Sequence, residues 1–170
     1  MPQYSALFLR FILITFSVLV SAVFTTANAM PSLRVDDNLT LSNISPVVQY
    51  HADTTTVMTL EQVKALPDSA WRKTNAKALS FGFTENAYWL RLELDSRART
   101  QPYLLHIDYP TFDDLRLTIE STVTSTQFVN GFLVAPEDKS IAHRHHLFLI
   151  PTGEVTTLWL RATNTGSFQL

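Results

Sequence analysis

The sequence predicts an antiparallel β-sandwich or barrel with one short helix, and three observations predict it. Apolar and polar residues alternate with period two in several short segments beyond residue 80. Turn residues separate those segments at regular spacing. Only residues 60–66 carry the start and stop signals of a helix.

Residues 1–29 read as an export signal. Arg10 is the only charge ahead of the apolar run 11–23, and Ala27-Asn28-Ala29 gives a small-x-small cleavage pattern. The run is shorter than the roughly 20 residues of a spanning helix. The exported chain is therefore expected to begin near Met30. Residues 30–43, polar with scattered hydrophobes, read as a linker, and 44–170 as one domain.

A first strand is expected over 44–51. Thr59 and Gln62 form a capping box ahead of the helix, which Pro67 closes. Residues 68–79 read as a loop anchored by Trp71. Residues 81–94, FGFTENAYWLRLEL, pass through a glycine turn and then alternate: Tyr88, Leu90, Leu92 and Leu94 on one side, Trp89, Arg91 and Glu93 on the other.

Residues 103–109 put Tyr103, Leu105, Ile107 and Tyr109 inward, with Leu104, His106 and Asp108 opposite. After a turn at 110–114, Leu115, Leu117 and Ile119 alternate with Arg116, Thr118 and Glu120. A β-branched strand over 122–129 and a loop over 131–139 follow. Strands over 143–150 and 156–163 are joined by Pro151-Thr152-Gly153. Phe148, Leu158 and Leu160 complete the expected core. Residues 167–170 read as the start of one more strand with an unpaired edge, as if the domain were truncated at its C-terminal end.

Composition excludes several classes. The chain has 13 Lys and Arg against 15 Asp and Glu, a net charge of −2, or −3 once Arg10 is removed. That is no footprint for nucleic acid. Cysteine is absent, so there is no thiol nucleophile and no cysteine-ligated zinc or iron–sulfur site. Asn38-Leu39-Thr40 and Asn43-Ile44-Ser45 match the glycosylation tripeptide, which has meaning only in a eukaryotic secretory host. No nucleophile elbow, phosphate-binding loop or zinc-protease helix occurs. The chain is expected to be no enzyme and to need no cofactor.

The candidate ligand-binding residues are Trp89, Arg91, Asp108, Trp159 and Arg161. Two Trp-x-Arg steps lie on the sides of their strands away from the leucines, where His106, Asp108 and Arg116 can be cross-strand neighbours. Rings supply stacking surface, while Arg and Asp supply directional hydrogen bonds. The same residues also fit a plainer role, with the tryptophans packed under a loop or second layer and the charges forming surface ladders.

His143, His145 and His146 invite a metal, since His143 and His145 would share a strand face. No carboxylate motif completes the set and Arg144 opposes a cation, so no metal is expected there. Protonation of these imidazoles would instead tune anion binding. Asp113 and Asp114 read as turn caps, not as calcium ligands.

Four stretches in order carry a resemblance: FGFTENAYWLRLEL (81–94), YLLHIDYPTFDDLRLTI (103–119), AHRHHLFLIP (142–151) and LWLRATNTGSFQL (158–170). Together they resemble the second type of extracellular domain in bacterial seven-transmembrane receptors with diverse intracellular signalling modules. The resemblance implies a jelly-roll-like sandwich similar to carbohydrate-binding modules, on the periplasmic side of a membrane sensor, binding a small polar ligand such as a carbohydrate. Membrane and cytoplasmic signalling parts are implied by it alone. Two other classes stay open. An exported glycosidase or lyase would need paired carboxylates, for which Glu93 and Asp108 are the candidates. An assembly module would dock a protein or a second copy on its outer sheet face.

Overall fold

The computed structural model describes residues 29–40, 42–74 and 76–170. Nearly all of the expected export signal thus lies outside the described residues. The chain runs β1 (Ser32–Arg34), β2 (Gln49–Asp53), α1 (Leu60–Lys64), β3 (Arg72–Lys73), β4 (Ser80–Phe83), β5 (Ala87–Asp95) and β6 (Tyr103–Ile107). It continues through β7 (Asp114–Glu120), β8 (Ser125–Asn130), β9 (His146–Ile150), β10 (Val155–Thr163) and β11 (Ser167–Gln169). Short 3-10 turns occupy Asp68–Ala70 and Pro136–Asp138.

The large sheet has the order β3-β2-β5-β10-β7-β8, antiparallel throughout, and β1 adds to β5 in parallel. Two further antiparallel ribbons, β4–β11 and β6–β9, complete the β-structure. The main core joins the sheet to the ribbons. Tyr88, Leu90, Leu92 and Leu94 of β5, Leu117 and Ile119 of β7, and Leu158 and Leu160 of β10 meet Ile107, Phe148 and Phe168 there. The period-two reading of the inward face is borne out along β5, β7 and β10, and Leu105 packs at the margin.

Several details differ from the expectation. β3 lies inside the expected loop 68–79, and β4 is a strand where the sequence predicts a glycine turn. Ser32–Arg34, inside the expected linker, pairs with Glu93–Asp95 of β5, and Val35 behind it is buried. The strand expected over 44–51 starts only at Gln49, because residues 45–47 turn. The strand expected from 143 begins at His146, after a bend. The last strand expected at 167–170 is present as β11, which pairs on one side with β4, and Leu79 and Leu170 exchange two backbone hydrogen bonds of 2.6 and 2.7 Å.

α1 forms where the capping box predicts it. Thr59 accepts from the backbone N–H of Gln62 (3.3 Å), and the Gln62 side chain accepts from that of Thr59 (2.8 Å). Its buried residue, Val63, joins Trp71, Trp89 and Trp159 in a second cluster, with Met58, Leu60 and Leu66 at its margin. The face of the large sheet opposite the main core is therefore covered over its centre.

Candidate functional site

Register brings four of the five expected ligand residues together. Trp159 lies opposite Arg91, and Arg161 opposite Trp89. They share the face that α1 and the 3-10 turn cover, so they do not form an open surface. Trp89 is 5 % exposed, Arg91 6 % and Trp159 6 %. Arg91 Nε donates to Gln49 Oε1 at 2.8 Å, and its Nη2 donates to Asp68 Oδ1 at 2.8 Å. Its guanidinium carbon sits 4.4 Å from the Trp71 ring centre. Trp159 Nε1 donates to Glu120 Oε2 at 3.0 Å, and Glu120 also pairs with Lys64 of α1. Arg161 bonds Asp114 Oδ2 at 2.8 Å and the Thr56 carbonyl at 2.7 Å.

Arg91 and Arg161 tie the overlying segments to the sheet through Asp68 and the Thr56 carbonyl, whereas the Trp159–Glu120 bond lies within the sheet and the buried Trp89 Nε1 meets no hydrogen-bond partner among the described residues. Asp114 also receives Arg116, the like charge paired across from Arg161 in the register. α1 and the 3-10 turn lie over this face, and the two tryptophans pack beneath them.

Asp108 is elsewhere. It follows β6 on the outer side of the β6–β9 ribbon and is 74 % exposed in its side chain. There it meets His145, whose Nδ1 lies 2.8 Å from Asp108 Oδ1 and 2.9 Å from His106 Nε2. His143 and His145 are in the bend before β9, not on a common strand face. His143 Nδ1 accepts the backbone N–H of His145 at 3.1 Å. His146 turns inward, fully buried, and burial pushes its imidazole down to about 4, with Lys139 and His145 adding to the effect.

A cleft of about 530 Å³ opens between the large sheet and β6. Leu90, Leu92, Leu117, Leu158 and Leu160 wall one side, and the β6 stretch 105–109 walls the other. Asn43, Ser45, Lys77 and Gln169 supply polar groups. Asn43 Nδ2 donates to the Lys77 carbonyl at 2.6 Å, fastening two segments of the lining to each other. Arg91 and Asp108, two of the five residues expected from sequence, border this cleft, together with His106. The rest of it is not legible in the sequence, because its apolar walls are core positions and Asn43, Ser45 and Lys77 come from loops that carry no periodic signal.

The family model of the 7TMR-DISM extracellular 2 domain matches residues 45–170. The chain belongs to that family. No curated relative matches the chain. As a 7TMR-DISM extracellular 2 domain it is an extracellular sensor domain of membrane signalling receptors. Among its described residues, no helix is long and apolar enough to cross a membrane.

The geometry also bears on the carboxylate pair considered for glycoside hydrolysis. Glu93 shares the β5 face of Trp89 and Arg91, whereas Asp108 lies on the outer side of the β6–β9 ribbon. The two carboxylates of this 7TMR-DISM extracellular 2 domain are therefore carried by different sheets.

Proposed function

We propose that the chain is the periplasmic ligand-sensing module of a membrane receptor, without catalysis of its own, and that it holds a small metabolite in the cleft beside β6. The module is taken as jelly-roll-like and akin to carbohydrate-binding modules. Family membership supports the sensor role, and the cleft carries the rest. Its leucine wall suits an apolar body, while Lys77, Asn43 and Gln169 suit a polar head, and an acidic one where Lys77 and not Asp108, also in the lining, faces it.

A fully hydroxylated sugar fits this lining less well, because hydroxyls against leucine lose water with no partner to replace it. A sugar acid with a deoxygenated part, or a short organic acid, meets both halves. The tryptophan–arginine face holds the domain together instead of the ligand.

A thermal-shift screen of the purified chain against sugars, sugar acids and short organic acids tests this, since a ligand of the native state raises the melting temperature. Lys77→Ala removes an exposed cation of the lining and Ala78→Trp fills the cleft at an exposed position. Either change is expected to weaken a hit about 5- to 150-fold, as loss of a contact worth about 1–3 kcal/mol does. Hits that survive both changes overturn the cleft reading.

One observation favours a second reading, a contact surface for another copy of the chain. The end of the edge strand β8 and its turn expose Val129, Phe132 and Leu133. Sedimentation of the wild type against Leu133→Glu separates the readings. A dimer dissolved by that change, in a chain that binds no small molecule, favours assembly.

A further inference from the structure

The β6–β9 register runs Tyr103↔Ile150 to Ile107↔His146. Extended by one step it sets Asp108 across from His145, with His106 two residues back along β6. Alternation keeps His106 and Asp108 on the side away from the core. Three donor atoms converge there: His106 Nε2, Asp108 Oδ1 and a His145 ring nitrogen, all within 4.8 Å of one another. The separations from His145 Nδ1 are 2.9 Å to His106 and 2.8 Å to Asp108, and His106 to Asp108 is 3.9 Å.

Neutral imidazole carries one N–H and one lone pair, and an ionised carboxylate only accepts. Where these three groups converge, one proton or none on the facing nitrogens leaves lone pairs facing each other, and a proton on both sets two N–H groups 2.9 Å apart against each other. A cation satisfies all three. We propose that His106, Asp108 and His145 form a binding site for a divalent transition metal of the zinc class.

Two imidazole nitrogens and one carboxylate oxygen are donors that zinc and its neighbours prefer, at about 2.0–2.2 Å. Ligand atoms around a tetrahedral zinc are then about 3.3 Å apart, within the range of the three separations seen. His143 is beside the site, its ring centre 5.3 Å from that of His145. Its Nδ1 is occupied by the His145 backbone N–H, so its proton belongs on Nε2 when the ring is neutral, and it is not a fourth ligand in that state. Three protein ligands with one position left to water make a site that can exchange its metal or admit an anion. Arg144 is exposed, where water screens its charge from the ion. His106 and Asp108 also border the cleft, but the site rests on its own donor atoms and is tested with the metal alone, without a cleft ligand.

The test is calorimetric titration of tag-free, chelator-treated chain with Zn²⁺, paired with Co²⁺ titration followed by visible absorption. One ion per chain is expected, with cobalt ligand-field bands of a low-coordinate nitrogen–oxygen site. His106→Gln, Asp108→Asn and His145→Gln should each weaken zinc by at least about tenfold, and His143→Gln should not. His106 and Asp108 lie at the surface, so their variants keep the fold, which melting curves without metal verify. Absence of saturable binding up to about 1 mM Zn²⁺ overturns the site. So does binding that all three ligand variants retain, or that His143→Gln alone abolishes.

Discussion

Arg91 sits among Gln49, Asp68 and the Trp71 ring, and this setting explains why a guanidinium is tolerated almost out of water. A buried charge is stable only where its donors are met. Trp159 has a comparable double role, filling the second cluster while its indole N–H reaches Glu120. Trp159→Ala should therefore destabilise the chain by about 3–5 kcal/mol, measured by urea unfolding. A cost below about 0.5 kcal/mol would mean that the ring is exposed.

Asp53 gives the pH dependence. Burial alone would raise its carboxyl, but hydrogen bonds from the Thr55 hydroxyl and from the N–H groups of Met58, Thr55 and Thr56 outweigh burial and hold it below 3.8. A depressed folded value means the stability is fully present above the ordinary carboxylate value and is lost as pH falls through the folded one. Melts of wild type and Asp53→Asn from about pH 7 to pH 2 should show the variant weaker at neutral pH and the difference shrinking below about pH 4. At this scale the sequence is ambiguous for a physical reason. An outward Trp next to Arg reads the same whether a ligand or a helix lies over it, and only the tertiary position of α1 decides.

Among the elements, α1 is short but doubly fixed, by its capping box and by the Lys64–Glu120 ion pair. Thr59→Ala removes the cap acceptor and should cost about 1 kcal/mol, read as a lower urea midpoint. The β8 turn has a sharper requirement. Gly131 has φ +147°, and a Cβ there would lie 2.4 Å from the Asp113 carbonyl oxygen. Gly131→Ala must push backbone apart and should cost more than the roughly 1 kcal/mol of an ordinary Gly change, again by urea unfolding. The long strands were legible because alternation runs through all of β5 and β10, and the capping box announced α1. β1 and β3 were not, because two or three residues cannot display a period, and β1 pairs in parallel with a partner about sixty residues away. The meeting of His106 and Asp108 with His145 was hidden for a related reason. Each half of the cluster is visible, but the pairing that joins them spans the whole of β7 and β8.

For the whole molecule, one core joins the large sheet to both ribbons, and Leu92 lies within it at 2 % exposure. Leu92→Ala should cost about 2–5 kcal/mol. The opposite face of the sheet is covered over its centre by α1, which supports the proposal that a metabolite enters the cleft walled by the main core and bordered by loops. All three tryptophans of the chain belong to the α1 side. The most direct test of this division is hydrogen–deuterium exchange of the chain with and without a small-molecule hit from the screen. The account predicts added protection at residues 42–48, 76–78 and 105–109, with the segments 58–71 and 159–161 unchanged. Protection confined to 58–71 and 159–161 would put the ligand on the tryptophan–arginine face and contradict it.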